Sequence, residues 1–572
     1  MNSLILGGIF MSEEKKTRWY KDAFVYQIYP RSFCDSNGDG IGDIPGIISK
    51  LDHLKDLGVD AVWLSPCYKS PNDDNGYDIS DYRDIMDEFG TLDDWKIMIK
   101  GMHDRGIKLI MDLVVNHTSD EHQWFKDSRL SKDNPYRDYY IWRKGKGKNG
   151  KKPPNNWTSR FGGSAWEYDE TTEEWYLHLF TKKQPDLNWD NPKVRQEVID
   201  ICNYWFELGV DGFRCDVITY ISKAKGLPDG KYNILARGDE HFTHGPNIHE
   251  YLKQVNKESW SKYDTMIVGE AAGVTIEQAL LYTAEEREEM DCVFQFEHFE
   301  ASFWMHIIPL KFDLRKIQKV FSRWQFGLMQ KGWNSLYLEN HDQPRSLDSY
   351  TPGFEGHREE AAKMLAVAIF MQQGTPFMYQ GQEIGMTNYP FKSFDECKDV
   401  VVQNIRKMLH PLDKIFEKTA IKILKKRSRD NARTPMQWSS SENAGFSSSE
   451  PWIMVNPNFT EVNVEKDKEN PNSILYFYKK LIACRKGNEA IIKGSFKEND
   501  PGNKDILCYE RWYHGERLFI VCNFKNSEVN FRAPLDAAYL ECELALHNYG
   551  YDRPLLQSLV LRPYEAMVYI LK

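Results

Sequence analysis

Short apolar runs alternate with helical patterns along most of the chain. Leucines at helical spacing within residues 51–57 are followed by Gly58 and then by the apolar run 59–64. The same order of helix, glycine and apolar run returns at residues 105–110 and 208–213. Glycine after the last helical turn is typical of a left-handed helix cap, and a short continuous apolar run is typical of a strand buried on both faces. The pattern therefore predicts repeated β/α units with a parallel sheet.

Eight strands are predicted, at residues 24–30, 61–65, 109–115, 212–217, 266–270, 292–296, 335–340 and 376–380. Because eight parallel strands close into a cylinder, we expect an α/β fold, a (β/α)8 TIM barrel. Two stretches are too long for simple β/α units, and the last part of the chain changes to short strands between polar turns. We expect an inserted small domain after strand 3 and a C-terminal antiparallel β-sandwich domain.

The predicted boundaries follow from these interruptions. They are a disordered or non-native N-terminal extension at 1–18, a barrel at 19–117 and 185–490 with an irregular insertion at 388–460 and a helix near 400–425, the inserted domain at 118–184, and the β domain at 491–572.

Composition narrows the choice of partners. The net charge of −10 gives no basic surface for nucleic acid, and no apolar run approaches the roughly 18 residues of a membrane span. The 10 cysteines show no C-x-x-C spacing, which favours free thiols in a reducing compartment. We expect a cytoplasmic protein, a monomer or weak homo-oligomer, that acts on a small molecule.

Three acidic residues each end a predicted strand: Asp216, Glu270 and Asp342. A single acid in such a place is usually a helix cap or a turn residue. In a parallel barrel, however, all strand ends of one kind open on the same face, where active sites are built. Three acids from three strands can then surround one substrate, which is the arrangement that splits acetal bonds with paired carboxylates.

A loop near the N-terminus predicts a metal site. Residues 35–43 place oxygen ligands at alternate positions, and the predicted ligands are Asp35, Asn37, Asp39, the Ile41 carbonyl and Asp43. Calcium prefers six to eight oxygens on a tight loop, so we expect a structural Ca²⁺, with Mg²⁺ as the alternative. Gly46 stands where a complete calcium loop has Glu. A metal-free turn, with Asp43 capping the next helix, stays open.

Five motifs occur in a fixed order and resemble those of the α-amylase superfamily (glycoside hydrolase family 13), in its oligo-1,6-glucosidase and α-glucosidase branch. They are Asp112-Leu-Val-Val-Asn-His117, Gln184-Pro-Asp-Leu-Asn188, Asp211-Gly-Phe-Arg-Cys-Asp216, Val268-Gly-Glu270 and Glu339-Asn-His-Asp342. The resemblance runs from about Trp19 to the C-terminus. No organic cofactor is implied.

The resemblance implies a role for each acid. Asp216 corresponds to the nucleophile, Glu270 to the general acid/base and Asp342 to a third acid that holds sugar hydroxyls. Arg214 lies two residues before Asp216 and faces the same side of its strand, so we expect its charge to lower the pKa of Asp216. Glu270 must carry a proton in order to release the leaving group.

Other positions resemble the family's sugar-binding residues: Tyr77, Asp78, His117, Phe161, Phe180, Gln184, Val217, His341 and Arg429. Asp78 and Arg429 are expected to close the pocket beyond the terminal sugar. A pocket closed in this way favours an exo-acting enzyme that removes one glucose at a time.

Val217 after the nucleophile accompanies α-1,6 cleavage in the resembling family. We therefore expect hydrolysis of isomaltose and short isomalto-oligosaccharides, with sucrose or α-1,4 links as further substrates. The open alternatives are a trehalose-6-phosphate hydrolase, a dextran glucosidase, and a sucrose isomerase or glucosyltransferase. A remote alternative is a non-catalytic partner that resembles a transporter heavy chain. Two departures from relatives, Ala271 after the acid/base and Glu339 before Asn340, are expected to loosen the site beyond the cleaved bond.

Overall fold

The core of the molecule is a closed barrel of eight parallel strands. The computed structural model describes residues 18–233, 236–301, 303–304, 308–409, 413–538, 541–555 and 557–572, so nearly all of the predicted extension at 1–18 lies outside the described residues. The barrel strands are β1 Val25–Ile28, β2 Ala61–Leu64, β3 Lys108–Leu113, β4 Gly212–Cys215, β5 Met266–Glu270, β6 Cys292–Phe294, β7 Ser335–Leu336 and β8 Thr375–Tyr379.

Hydrogen bonds join these strands in the order β6-β5-β4-β3-β2-β1-β8-β7. A parallel bridge between Val293 of β6 and Asn334, next to β7, closes the cylinder. Each of the eight predicted strands overlaps one of the observed strands, and the predicted (β/α)8 barrel is confirmed.

Glycine caps end the helices that lead into the strands. Helix Leu51–Leu57 stops at Gly58, which has a φ of 94° and donates its N–H to the carbonyl of Leu54. The equivalent Gly106 and Gly209 have φ of 72° and 105°. An L side chain rarely adopts this left-handed conformation, so glycine is the residue that permits the sharp turn. The main helices of the barrel are Leu51–Leu57, Leu92–Asp104, Pro192–Glu207, Ile248–Glu258, Ile276–Thr283, Leu314–Leu328, Arg358–Phe370 and Ile474–Arg485.

The barrel strands are apolar on both faces, as their sequences indicate. In β2, Ala61 and Trp63 pack inside the barrel, whereas Val62 and Leu64 pack against the surrounding helices. All four side chains are 1% exposed or less. This double burial makes the strands rigid supports for the residues at their carboxyl ends.

The remaining elements lie in the predicted insertions and C-terminal domain, whose boundaries stay predictions. A three-stranded antiparallel sheet lies between residues 118 and 184, with strands Trp142–Arg143, Trp166–Asp169 and Glu174–Leu177. The helix expected near 400–425 is two helices, Val400–Leu409 and Asp413–Arg427.

The C-terminal strands form two antiparallel sheets around a shared apolar core. The larger sheet has the strands Ser495–Asn499, Ile506–Tyr513, Glu516–Asn523, Cys542–His547 and Ala566–Leu571, and the smaller has Val529–Arg532 and Ser558–Leu561. Within the part of the chain that the structure describes, no helix has both the length and the apolar character that a bilayer crossing requires.

Candidate active site

Two predicted catalytic acids meet around one arginine at the carboxyl ends of β4 and β5. Arg214 of β4 lies level with Val268 of β5, so Asp216 and Glu270, each two residues farther along, leave the barrel at the same height. Nη1 of Arg214 donates to Oδ1 of Asp216 at 2.7 Å, and Nη2 contacts Oε2 of Glu270. The two acids are thus joined by a single cation.

Burial controls the proton affinity of this pair. Arg214 is 2% exposed and also donates to Oδ1 of Asp112 at 2.7 Å, so one guanidinium serves three carboxylates. Burial raises the pKa of Asp216 well above its usual range, Arg214 lowers it, and the neighbouring charges of Glu270 and Asp112 raise it again. Arg214 therefore lowers this pKa, as expected, but burial and the other two carboxylates outweigh it, because one cation does not balance three carboxylates.

The third acid, Asp342, lies in the opposite electrostatic setting. Its Oδ1 accepts from Nη2 of Arg433 at 2.7 Å and lies 3.4 Å from Nη1 of Arg429, and its Oδ2 lies 3.1 Å from Nε2 of His341. Burial raises the pKa of Asp342, but His341 and the two arginines outweigh it and hold the pKa well below its usual range. Asp342 is therefore ionised near pH 7 and can accept hydrogen bonds.

Arg433 was not predicted from the sequence. Arg429 and Arg433 stand one helical turn apart, at either end of the helix Asp430–Arg433, so their side chains leave from the same face. Both reach Asp342. The spacing of the two arginines is visible in the sequence, and it could have been used to predict that Arg433 lies beside Arg429.

His341 is fixed by a hydrogen-bonded stack of rings. Its ring lies parallel to that of Tyr77, with centroids 5.4 Å apart, and has no exposed surface. Nε2 of Gln27 donates to Nδ1 of His341 at 2.8 Å, which leaves the imidazole proton on Nε2, facing Oη of Tyr77 at 2.7 Å and Asp342. Gln27 is a second residue that sequence reasoning missed.

His117 and Gln184 form a neutral cluster beside this stack. Nε2 of Gln184 lies 3.2 Å from Oδ2 of Asp74, from the carbonyl of Tyr77 and from Nε2 of His117. Burial lowers the pKa of His117 to about 4, so its imidazole is neutral near pH 7. A neutral imidazole both donates to and accepts from hydroxyl groups.

The predicted pairing of Arg429 with Asp78 is wrong. Asp78 has no exposed surface, and its carboxylate accepts backbone N–H groups of Asp73 at 2.9 Å and Asp74 at 3.0 Å. Arg429 instead lies 3.8 Å from Asp74 and 2.7 Å from Asp399. Asp78 holds its own turn in shape, and Asp74, four residues earlier, is the acid on the pocket side.

Aromatic residues of the insertion line the rim. The ring of Phe180 lies 5.1 Å from that of His117, and the ring of Phe161 lies 5.5 Å from that of Phe180. The guanidinium of Arg429 covers Phe161 at 5.4 Å. Val217 packs against the same aromatic cluster and has a φ of 34°, which is strained for a β-branched residue. Val217 directly follows Asp216, and its N–H donates to Oε2 of Glu270 at 3.2 Å, so the strained turn connects the aromatic cluster to the two acids.

The predicted metal loop folds its own oxygens inward. Oδ1 of Asp35 accepts N–H groups of Asn37 and Gly38, and Oδ2 accepts that of Gly40 at 2.9 Å. Oδ1 of Asp43 caps the helix Ile44–Ile48, as the sequence allowed. Carboxylate, amide and carbonyl oxygens on so tight a loop suit a hard cation. Among the described residues, no group of three or more His, Cys, Asp and Glu side chains converges on a metal position.

Comparison with known proteins gives a consistent result. The alpha-amylase catalytic-domain family matches residues 27–494. The chain is 53% identical over 568 residues to an oligo-1,6-glucosidase of Bacillus cereus, covering 97% of this chain and 100% of that relative. It is 55% identical to an oligo-1,6-glucosidase of Parageobacillus thermoglucosidasius, covering 96% of this chain and 98% of the relative.

Solved structures agree with the fold. A trehalose-6-phosphate hydrolase of Bacillus licheniformis superposes with a TM-score of 0.92 at 44% identity, covering 97% of this chain and 100% of that one. An isomaltulose synthase from Klebsiella sp. LX3 superposes with a TM-score of 0.92 at 40% identity, covering 97% and 99% of the two chains. The chain belongs to the alpha-amylase family, and its barrel carries that family's catalytic domain.

Proposed function

We propose that this chain is a retaining, exo-acting α-glucosidase that releases glucose from isomaltose and short isomalto-oligosaccharides. The observation that carries the proposal is the meeting of Asp216 and Glu270 on Arg214, at the barrel mouth where Asp342 is held by its own arginines. A retaining glycosidase needs a nucleophile and an acid/base on opposite sides of one glycosidic bond, and these two acids leave neighbouring strands at one height.

The reaction has two displacements. In the first, a carboxylate oxygen of Asp216 attacks the anomeric carbon while Glu270 gives its proton to the departing glycosidic oxygen, so that a glucosyl ester forms on Asp216. In the second, Glu270 takes a proton from water, which attacks the same carbon and frees Asp216. The pair must therefore hold one proton in total when the substrate binds. Arg214 lowers the pKa of Asp216 against the effects of burial and of the neighbouring carboxylates, and so supports the ionised form that attacks.

Residues around the two acids bind one glucose unit. Neutral His117 donates and accepts hydrogen bonds, Nε2 of His341 donates them, and ionised Asp342 accepts them from hydroxyl groups. Arg429 and Asp74 lie together behind this group, and Phe161 lies under Arg429. A closed back wall of this kind leaves room for one terminal sugar, which supports exo action.

The α-1,6 preference is supported by Val217 and by the relatives. Val217 follows the nucleophile, and its side chain packs with aromatic residues of the insertion at the pocket wall. Two relatives that cover nearly the whole chain are named oligo-1,6-glucosidases. A branched apolar side chain here shapes the space beside the cleaved bond.

Product analysis tests the proposal. The purified protein is incubated with isomaltose, maltose, sucrose, trehalose and trehalose-6-phosphate, and the products are separated by chromatography. We expect glucose, first as the α-anomer, with the highest kcat/KM for isomaltose. A kcat/KM for maltose about tenfold above that for isomaltose rejects the α-1,6 assignment. Preferred cleavage of trehalose-6-phosphate, or conversion of sucrose into an isomer without release of glucose, supports the corresponding alternative. The Asp216→Asn variant is the matched inactive control.

Three accompanying proposals concern the state of the protein. We propose that Asp35, Asn37, Asp39, the Ile41 carbonyl and Asp43 hold a structural Ca²⁺, or Mg²⁺ in its place, which would tie the loop together and take no part in the chemistry. The 10 cysteines, all free and mostly buried, support a cytoplasmic location. We also propose a monomer or weak homo-oligomer, which size-exclusion chromatography with light scattering would test.

A further inference from the structure

The two arginines that hold the third acid leave from a very short helix. A helix of four residues, Asp430–Arg433, gains too few hydrogen bonds to stabilise itself, so contacts from outside must fix it. Oη of Tyr379 donates to the carbonyl of Ala432 at 2.8 Å, and Oγ of Ser32 donates to the carbonyl of Arg433 at 2.6 Å. The barrel therefore sets the position of this helix.

Arg345 is a buried link between the barrel and the same helix. Its side chain has no exposed surface. Nη1 donates to Oε1 of Glu339 at 3.0 Å and to the carbonyl of Gln380 at 2.7 Å. Nη2 lies 3.4 Å from the carbonyl of Ala432, and the guanidinium stacks over Tyr379 at 5.0 Å. Arg345 thus contacts the helix directly and also packs on the tyrosine that holds it.

Glu339 completes the link as a buried counter-charge. It is 2% exposed, and Oε2 accepts the backbone N–H of Ser346 at 2.5 Å. Both of its oxygens are therefore used, one by Arg345 and one by the chain just after it. Removing one member of a buried ion pair leaves the other charge without a partner, which is costly and drives local rearrangement.

We propose that Glu339 and Arg345 are positioning residues for substrate binding, acting as a buried ion pair that fixes the helix Asp430–Arg433 and so sets the two guanidiniums on Asp342. The proposal rests on the proposed glucosidase function of the site. It also gives a role to Glu339, which the sequence marked only as a departure from relatives.

A shift of this helix has a distinct electrostatic consequence. The titratable and charged groups that face Asp342 or its arginines are His341, Arg429, Arg433, Asp74, Asp399, Asp430, Tyr29, Tyr77 and Tyr379. Among them, the two arginines and His341 lower the pKa of Asp342. When the arginines withdraw, that pKa rises, and the acidic limb of kcat/KM moves to higher pH.

Two variants and a matched control test the proposal. Glu339→Gln and Arg345→Met are assayed for kcat/KM against pH with an aryl α-glucoside, and hydrogen–deuterium exchange is followed over residues 428–436. We expect kcat/KM to fall by about ten- to a hundredfold, because small misplacements of binding groups are costly. We also expect the acidic limb to rise by roughly one pH unit and exchange over 428–436 to accelerate. Glu383→Gln is the control, since Glu383 has no exposed surface and accepts from Oη of Tyr26 instead of from an arginine.

The remaining outcomes are also decisive. An unchanged acidic limb in the folded variants, or an equal shift in Glu383→Gln, overturns the proposal. If Glu339→Gln and Arg345→Met do not fold, Tyr379→Phe removes only the hydroxyl group that holds Ala432, and a smaller shift in the same direction is required. If the parent protein does not cleave α-glucosides, the proposed function fails, while the exchange measurement still tests the positioning role.

Discussion

The two sides of the pocket use the same residue types in different ratios. The reaction side has three carboxylates around one guanidinium, namely Asp112, Asp216 and Glu270 with Arg214. The grip side has three carboxylates around two guanidiniums, namely Asp342, Asp399 and Asp74 with Arg429 and Arg433.

The difference in ratio gives acids of opposite character. The pKa of Asp216 is raised because burial and like charges exceed the effect of one arginine. The pKa of Asp342 is lowered because two arginines and His341 exceed the effect of burial. The charge ratio therefore favours the protonated form of an acid on the reaction side and the ionised form of an acid on the grip side.

The largest expected effect is on the reaction side. Asp216→Asn keeps the shape of the side chain but removes the nucleophile, so kcat should fall by roughly 10⁴-fold or more. The melting temperature should not fall, because the substitution removes one of three carboxylates that compete for Arg214. Steady-state kinetics and thermal denaturation measure the two quantities. If Asp216→Asn loses activity only because it unfolds, the proposed contrast between the two sides of the pocket is not supported.

Removing a cation from the grip side should have a smaller effect. Arg433→Met leaves Asp342 with one arginine, so kcat/KM should fall by about 10²-fold and the acidic limb of its pH profile should move upward. Arg315→Met is the control, because Arg315 is 57% exposed and pairs with Asp313 away from the pocket. If the pH profile of Arg433→Met matches that of the parent, the ratio of carboxylates to guanidiniums is not what lowers the pKa of Asp342.

Variants of Asp74 and Asp78 test which of the two aspartates lies on the pocket side. Burial raises the pKa of Asp74 from 3.8 to about 7. A raised folded-state pKa contributes stability that is complete below the unfolded pKa and is lost as pH rises through the folded one. Between pH 4 and 7 the parent should therefore lose stability relative to Asp74→Asn, by about 2 °C or more in melting temperature.

The kinetic result separates the two aspartates. Above about pH 7, where Asp74 is ionised, Asp74→Asn removes the negative charge beside Arg429 and should lower kcat/KM about tenfold or more. Asp78→Asn keeps an oxygen for the turn's N–H groups and should lower it by no more than a few fold. Equal losses of kcat/KM in both variants would indicate that Asp78 also lines the pocket.

Metal removal should have the smallest effect on chemistry. The loop 35–43 contacts the insertion beyond the grip side, where Oγ of Ser447 donates to Asp35 and the N–H of Trp452 donates to Gly40. Chelation should lower the melting temperature by a few degrees, roughly 1–2 kcal/mol for a protein of this size, with little change in kcat. A protein that carries no stoichiometric divalent metal and melts unchanged after chelation contradicts the proposed calcium site.

Much of the fold was predictable because each strand is buried on both faces. Runs such as 61–64 are apolar at every position, and Gly58, Gly106 and Gly209 mark the turns that precede three of the strands. The short strand Ser335–Leu336 shows the limit, because apolar residues continue to Leu338 and the strand was predicted to 340, whereas the strand hydrogen bonding ends at Leu336.

The site was less predictable where it depends on side-chain direction. Asp74 and Asp78 occupy the same short loop, and nothing in their spacing indicates which carboxylate turns inward to bind N–H groups. Arg433 was missed although it follows Arg429 by four residues, because the sequence does not show that this stretch is helical. The raised pKa of Asp216 depends on the number of carboxylates gathered around Arg214 from three strands, a quantity that no local pattern contains.

Trapping of the glucosyl intermediate tests the central claim most directly. The protein is incubated with a fluorinated α-glucosyl substrate that slows the second displacement, digested, and examined by mass spectrometry. The arrangement of Asp216 and Glu270 on Arg214 predicts one glucosyl group per chain, on the peptide that contains Asp216, and none in the Asp216→Asn variant. A stable adduct on any other residue would contradict the account.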